Sequence, residues 1–149
     1  MAHTFTNLLS HLIFSTKDRL PTITLDLKPR LYAYMGGIIR SLNGIALAID
    51  GPADHVHLLV KTPATASLAD VLRLLKTNSS KWVHETFPHS AFAWQTGYGA
   101  FSVSYSAVDS VRSYIASQEE HHKHITFQEE FIAFLKRHGL EYDERYIWE

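Results

Sequence analysis

The sequence predicts one α+β domain built on a ferredoxin-like antiparallel sheet. Segments with strand and helix patterns follow one another as strand–helix–strand–strand–helix–strand, which is the split βαβ order of that sheet. Two further helical segments follow, over about residues 106–123 and 126–139, and we expect them to be additions to the α+β core. The 149 residues are enough for one domain with its own hydrophobic core, and we assign residues 1–149 to it.

The first half of this pattern is a strand, a helix and a hairpin. Residues 8–16 form an apolar strand segment, and apolar side chains then recur at helical spacing over residues 25–43. The next two strand segments, residues 45–49 and 54–60, are separated by Gly51-Pro52-Ala53, which predicts a hairpin. In the split βαβ topology the third strand is central, which suits the apolar 54–60 segment.

The second half continues with a helix and the last strand segments. Ser67 is the predicted N-cap of this helix, Asp70 lies at the capping-box position, and Pro88 closes the helix. Short strands are predicted over residues 92–95 and 100–105.

The composition is that of an ordinary folded domain, with 46% apolar and 19% charged residues. Because the chain has no cysteine, disulfides, cysteine-rich zinc sites and thiol nucleophiles are excluded, and a reducing cytoplasm is the expected location. The N-terminus lacks the basic start of a secretory signal. No apolar run approaches the ~20 residues that span a bilayer, so we expect no membrane association.

Charge is distributed unevenly along the chain, although the net charge is only −1. Residues 1–106 contain nine Lys/Arg and six Asp/Glu, whereas residues 107–149 contain five and nine. A mildly basic body with an acidic tail is compatible with a nucleic-acid partner, but such asymmetry is also common on solvated surfaces.

The 54–60 segment, Asp-His-Val-His-Leu-Leu-Val, carries the first candidate functional residues. Alternate side chains on a strand point to the same face, so His55 and His57 share one face while Val56 and Leu58 face the core. Two imidazoles at this spacing can bind one ion, since histidine is the commonest metal ligand. The alternative is that both histidines are simply half-buried polar residues.

The predicted helix over residues 106–123 carries the second pair of candidates. Tyr114 and Gln118 are four residues apart and therefore neighbours on one helix face, with Val111 and Ile115 beside them. A tyrosine and a glutamine on a protein-facing surface need polar partners. The alternative is a packed core tyrosine and a surface amide.

Five segments together resemble the small single-tyrosine transposases of bacterial insertion sequences, the insertion-sequence two-hundred-like group of the HUH nuclease superfamily. HUH denotes His-hydrophobe-His, here His55-Val56-His57. The resemblance covers nearly the whole chain and depends on the order and spacing of these segments, which are DHVHLLV, LKTNSSKWV (75–83), WQTGYGAFSVS (94–104), VRSYIASQEEHH (111–122) and YDERYIW (142–148).

The resemblance implies cleavage and joining of single-stranded DNA beside hairpins at the ends of an element, by a homodimer that uses a divalent metal. Tyr114 would be the nucleophile and form a 5′-phosphotyrosine. His55, His57 and Gln118 would be the metal ligands, leaving open positions for phosphate and water. This mixed nitrogen and oxygen set suits Mn²⁺, is tolerable for Mg²⁺ and would also bind Zn²⁺. In the resembled family the tyrosine helix can act on the partner subunit, so we expect a shared site, with Tyr114 of one chain beside His55 and His57 of the other. A site within one chain is the alternative.

One face of the predicted helix after Ser67 offers groups that can hold DNA phosphates, or else is an ordinary solvated surface. Its candidates are Arg73, Lys76, Ser79, Ser80 and Lys81. Three other functions stay open at this point. They are an HUH nickase, a domesticated transposase that processes palindromes, and a ferredoxin-like metal-binding protein without nuclease activity.

Overall fold

Four strands form one antiparallel sheet in the order β2–β3–β1–β4 in the computed structural model, which describes residues 3–149. The first two residues of the N-terminus, where no secretory signal is expected, lie outside the described residues. The strands are β1 (Leu8–Ser15), β2 (Ile45–Asp50), β3 (His55–Thr62) and β4 (Gly99–Val103). This strand order is the predicted ferredoxin-like one, and β3 is central, as expected.

Five helices accompany the sheet within the described residues: α1 (Leu27–Ser41), α2 (Leu68–Thr86), α3 (Val108–Ala116), α4 (Gln118–His121) and α5 (Phe127–Arg137). Single 3₁₀ turns lie at Lys17–Arg19 and Tyr105–Ala107. In the part of the chain that the structure describes, no helix is both long enough and apolar enough to cross a bilayer.

The two faces of the sheet are covered by different helices. Leu12 on β1 and Val56 on β3 belong to the main core, together with the apolar sides of α1 and α2. Ile13 on β1 belongs to a second cluster with Phe131 and the other buried apolar residues of α5. Because β-strand side chains alternate, His55 and His57 face α5 and not the main core.

Two local predictions were wrong. The predicted strand over residues 92–95 is reduced to one isolated bridge, between Thr16 and Trp94. The predicted helix over residues 106–123 is interrupted at Ser117, where φ is −100° and ψ is 17°. The Ser117 hydroxyl donates a hydrogen bond to the carbonyl oxygen of Tyr114 at 3.0 Å, a local bond that competes with the helical ladder.

The predicted helix ends are confirmed where side chains or a glycine fix them. The Ser67 hydroxyl accepts a hydrogen bond from the backbone N–H of Asp70. Thr126 and Glu129 form a full capping box at the start of α5, which fixes where that helix begins. Gly139 follows α5 with φ of 68°, the left-handed conformation that ends many helices.

Candidate active site

The site lies on the sheet face that is covered by α3, α4 and α5. Its floor is formed by His55 and His57 on β3 and His11 on β1, and His55 and His57 are fully buried. As predicted from strand alternation, the His55 and His57 rings are on the same face, with centroids 5.1 Å apart. Nε2 of His11 lies 2.8 Å from Nδ1 of His57.

One carboxylate lies at the centre of the site. Glu130 of α5 is buried, and its Oε1 is 3.0 Å from Nε2 of His57 and 3.0 Å from Nε2 of His122. The same oxygen is 3.3 Å from Nε2 of His55. A buried carboxylate needs such partners, because burial of an unpaired charge is costly.

The outer ring nitrogens of these histidines have their own partners. Nδ1 of His55 is 2.7 Å from a carboxylate oxygen of Asp54, and Nδ1 of His122 is 2.9 Å from the carbonyl oxygen of Ile125. These contacts orient both rings so that their Nε2 atoms point towards Glu130.

Tyr114 of α3 completes one side of the site. Its hydroxyl donates a hydrogen bond to Oε2 of Glu130 and lies 3.2 Å from Nε2 of His121. The Tyr114 ring is 5.8 Å from the His57 ring, measured between centroids. The phenol oxygen therefore lies beside the histidine cluster of its own chain.

Gln118 is fully buried despite the break in the helix at Ser117. Its Oε1 is 3.4 Å from Nε2 of His55, and its Nε2 donates a hydrogen bond to the Tyr114 carbonyl oxygen at 3.3 Å. One chain thus brings together all four residues that the sequence places at the centre of the reaction, His55, His57, Tyr114 and Gln118.

Burial and the central carboxylate set the electrostatics of the site. Burial alone would raise the pKa of Glu130, but hydrogen bonds from His122, His55 and His57 outweigh it and hold that pKa below its usual range. Burial lowers the pKa of His57 to about 4, against the opposing effect of Glu130. Burial, followed by the hydrogen bond to Glu130, raises the pKa of the Tyr114 phenol, so without a further cation the phenol keeps its proton.

Sequence reasoning missed Glu130 and His122 as members of the site. A signal for Glu130 was present: it lies between Phe127, Phe131 and Phe134, on the apolar face of α5. A carboxylate on a buried helix face calls for a buried partner. His122 follows the unpredicted break in the helix, and its position depends on that break.

The donor atoms at the centre fit a divalent ion. One ligand atom from each of His55, His57, His122 and Glu130 lies within 4.8 Å of the other three. Imidazole nitrogens and a carboxylate oxygen are ordinary ligands of transition ions. The amide oxygen of Gln118 lies 3.4 Å from Nε2 of His55 and offers a further ligand atom for the ion.

The candidate DNA-contacting residues lie on α2, a helix of the opposite sheet face. Arg73 and Lys81 are exposed, and each lies near an acidic side chain of the same helix. Ser79 is instead buried, and its hydroxyl accepts a hydrogen bond from the indole N–H of Trp94. The Lys76 ammonium donates hydrogen bonds to the backbone carbonyls of residues 96 and 97. Burial lowers the pKa of Lys76 to about 8.

An open groove of about 410 Å³ lies between α2 and the segment before β4, and of the five candidates Arg73, Lys76 and Ser80 line it. The groove is lined by Arg73, Lys76, Ser80, Trp94 and Tyr98, among others. Cationic and aromatic groups therefore share one surface there, a combination that binds single-stranded nucleic acid in many proteins.

Comparison with known families identifies the chain. A family model described as "Transposase IS200 like" matches residues 4–118, which include His55, His57, Tyr114 and Gln118. The chain belongs to the IS200-like transposase family. Residues 119–149, with His122 and Glu130, lie beyond the matched part of this transposase.

Two relatives that are named as IS200 transposases align with most of the chain. The transposases for insertion sequence element IS200 of Salmonella typhimurium and Salmonella typhi are each 28% identical to it over 133 residues. Each alignment covers 83% of this chain and 84% of the relative.

Two solved structures share the fold of this transposase. A candidate transposase from Deinococcus radiodurans superposes with a TM-score of 0.64 at 23% identity, over 79% of this chain and 95% of its own. A REP-associated tyrosine transposase bound to a REP hairpin gives a TM-score of 0.61 at 11% identity, over 82% of this chain and 72% of its own. Both likenesses confirm the α+β fold.

Proposed function

We propose that this IS200-like transposase cleaves and rejoins single-stranded DNA at hairpin-marked element ends through a 5′-phosphotyrosine intermediate. One observation carries the proposal: the Tyr114 hydroxyl reaches the buried cluster of His55 and His57 through a single carboxylate, that of Glu130. A nucleophile and a candidate metal site are thus adjacent in a chain whose family moves DNA.

In the cleavage step, the phenol oxygen of Tyr114 attacks the scissile phosphorus. A bond forms between that oxygen and phosphorus, the bond from phosphorus to the 3′ oxygen breaks, and the strand leaves as a free 3′-OH. Before attack the phenol carries its proton and donates it in a hydrogen bond to Oε2 of Glu130. As the bond to phosphorus forms, this proton passes to Glu130, and the leaving 3′ oxygen gains a proton in turn, so that no net proton is lost. His55, His57 and Gln118 would hold a divalent ion, Mg²⁺ or Mn²⁺, which when bound supplies charge neutralisation at the phosphate.

Strand joining is the reverse of cleavage with a different 3′-OH. The covalent link between Tyr114 and the 5′ phosphate keeps the phosphodiester energy, so a 3′-OH from another end can attack the phosphorus and release the tyrosine. No nucleotide cofactor is needed. Between the two steps the phenol oxygen is bonded to phosphorus and carries no hydrogen, so Tyr114 is held by the packing of its ring against His57 and Phe134.

DNA binding is proposed for the groove beside α2. Arg73, Lys76, Ser80 and Lys81 would contact phosphates, while buried Ser79 would position Trp94. The hairpin bound by the REP-associated relative supports hairpin DNA as the partner class. Because the substrate is genomic DNA, and because cysteine is absent, we place the protein in the cytoplasm.

A homodimer is proposed in which each subunit carries a complete site. The outer strands β2 and β4 are edges of the sheet, and edge strands can pair with a second copy. Tyr114, His55 and His57 already meet within one chain, which supports the arrangement in cis over a site shared between subunits.

The decisive experiment is incubation with a labelled single-stranded hairpin and Mg²⁺ or Mn²⁺, followed by denaturing electrophoresis. We expect a labelled adduct that survives denaturation. Complete absence of adduct with either ion would favour a ferredoxin-like metal-binding protein without nuclease activity. Cleavage without joining to a second 3′-OH would favour an HUH nickase, and activity confined to chromosomal palindromes would favour a domesticated transposase.

A further inference from the structure

The outer hydrogen bonds of two histidines decide where their free lone pairs point. Nδ1 of His55 faces the Asp54 carboxylate, and Nδ1 of His122 faces the Ile125 carbonyl. Both partners are acceptors, so each Nδ1 carries the hydrogen and donates it. A ring that also carries a hydrogen on Nε2 donates it to Glu130, which is the form that lowers the pKa of that carboxyl. In the neutral ring of this tautomer, Nε2 instead directs a lone pair at the carboxylate.

Lone pairs that face a carboxylate oxygen at 3.0 and 3.3 Å repel one another unless a cation lies among them. A proton on the Nε2 atom of each ring would remove this repulsion, and so would a metal ion bound between the rings and the carboxylate. Metal-bound histidines in proteins nearly always donate their other N–H to a carboxylate or a backbone carbonyl. His55 has a carboxylate as this partner, that of Asp54, and His122 has a backbone carbonyl, that of Ile125.

The spacing of the inner atoms also fits coordination. Two ligand atoms that are each ~2.1 Å from one ion lie ~3.0–3.4 Å apart in octahedral or tetrahedral geometry. Oε1 of Glu130 is 3.0 Å from Nε2 of His57, 3.0 Å from that of His122 and 3.3 Å from that of His55. All three distances are within that range.

We propose that Glu130 and His122, which lie beyond the family match, are ligands of the metal together with His55 and His57. This inference rests on the proposed function, because it concerns the ion of the same site. With these ligands the ion is held by three imidazoles and a carboxylate, and not by the two imidazoles and one amide of His55, His57 and Gln118. Such a set binds Zn²⁺, Mn²⁺ or Co²⁺ in preference to Mg²⁺, which favours all-oxygen sites and retains its waters.

The test is titration calorimetry of the full chain with Zn²⁺, and separately with Mg²⁺, after removal of metals by a chelator. Glu130→Gln and His122→Ala are compared with matched controls, Glu129→Gln and His124→Ala. Glu129 and His124 are exposed, and glutamine preserves the capping box at position 129. Circular dichroism of every variant reports whether the chain remains folded.

We expect Zn²⁺ to bind the native chain more tightly than Mg²⁺, with a loss of at least about 10–100-fold in Zn²⁺ affinity for Glu130→Gln and His122→Ala. Both controls should bind as the native chain does. If Glu130→Gln does not fold, His122→Ala decides, since His122 lies at the margin of the site with 10% of its side chain exposed.

Native Zn²⁺ affinity in Glu130→Gln and His122→Ala, together with lost affinity in His55→Ala, overturns the inference. The ion would then be held by His55, His57 and Gln118, as the proposed function has it. Failure of the native chain to bind Zn²⁺, Mn²⁺ or Mg²⁺ overturns both metal assignments. The tyrosine chemistry would still be judged separately, by adduct formation.

Discussion

The Tyr114 hydroxyl donates a hydrogen bond to Oε2 of Glu130. Through the other oxygen of this carboxylate, the candidate nucleophile is connected to Nε2 of His57 at 3.0 Å. Two residues from separate helices, α3 and α5, are therefore tied to the central strand β3. This arrangement holds the phenol at a fixed place beside the histidines, which positioned nucleophiles require.

The first prediction concerns the nucleophile. Tyr114→Phe should abolish the covalent adduct, because phenylalanine has no oxygen to bond to phosphorus, while hairpin affinity changes by less than about twofold. The measurement is denaturing electrophoresis beside a filter-binding titration.

The matched control for this variant is Tyr105→Phe. Tyr105 is 78% exposed, so the same chemical change there should leave the adduct at the native level. Adduct that persists in Tyr114→Phe would show that another residue attacks the DNA.

The second prediction concerns the ion. Excess EDTA should abolish cleavage by the native protein, and His55→Ala or His57→Ala should do the same when metal is present, since each removes a proposed ligand. Both histidines are fully buried, so circular dichroism must accompany the assay. Cleavage that continues undiminished in EDTA would contradict the assignment.

His89→Ala is the matched control for these two variants. His89 is exposed and lies after α2, so its removal should change neither cleavage nor the response to EDTA.

The central strand shows how much of the site could be predicted from sequence. Strand alternation has a period of two residues whatever the partners are, so His55 and His57 were correctly placed on one face. The resemblance then directed attention to Tyr114 and Gln118, and the structure brings both to those histidines. Their roles in the reaction stay predictions.

Glu130 shows why the remainder could not be predicted. Its contact with His57 spans 73 residues of sequence and depends on the direction in which α5 returns across the sheet. That direction is set by the break at Ser117 and by the capping box at Thr126. At the break the Ser117 hydroxyl donates a hydrogen bond to the Tyr114 carbonyl oxygen, a local interaction that helical periodicity does not reveal.

The third prediction concerns pH and Lys76. Burial lowers the pKa of Lys76 to about 8, from a reference of 10.5. Between these values the unfolded chain binds more protons than the folded chain, so the free energy of unfolding contributed by Lys76 rises with pH. Urea unfolding from pH 8 to about 9, one unit below the reference pKa of tyrosine of ~10, should show this rise.

Lys76→Met should remove the rise, whereas Lys81→Met should keep it, because Lys81 is exposed on the same helix. An identical pH dependence in the native chain and Lys76→Met would refute the lowered pKa of Lys76.

The fourth prediction concerns the groove beside α2. Arg73→Ala should weaken hairpin binding and reduce the slope of log affinity against log salt by about 0.7, the value for one contact with a single-stranded phosphate. Fluorescence anisotropy at several salt concentrations measures both. Lys123→Ala, a change at an exposed lysine between α4 and α5, should leave the slope unaltered.

The last prediction concerns which chain supplies each part of the site. Tyr114, Glu130 and His57 form one connected set within a single chain, so we expect the site to act in cis. Tyr114→Phe and His55→Ala proteins, each inactive alone, are given different tags, co-expressed and purified through both tags. In a heterodimer with cis sites, every site keeps one defect and no adduct should form. Sites shared in trans would instead leave one intact site of two, with about half of the native activity. Recovery near that level would overturn the cis arrangement, and Tyr114 would then belong to the partner's histidines.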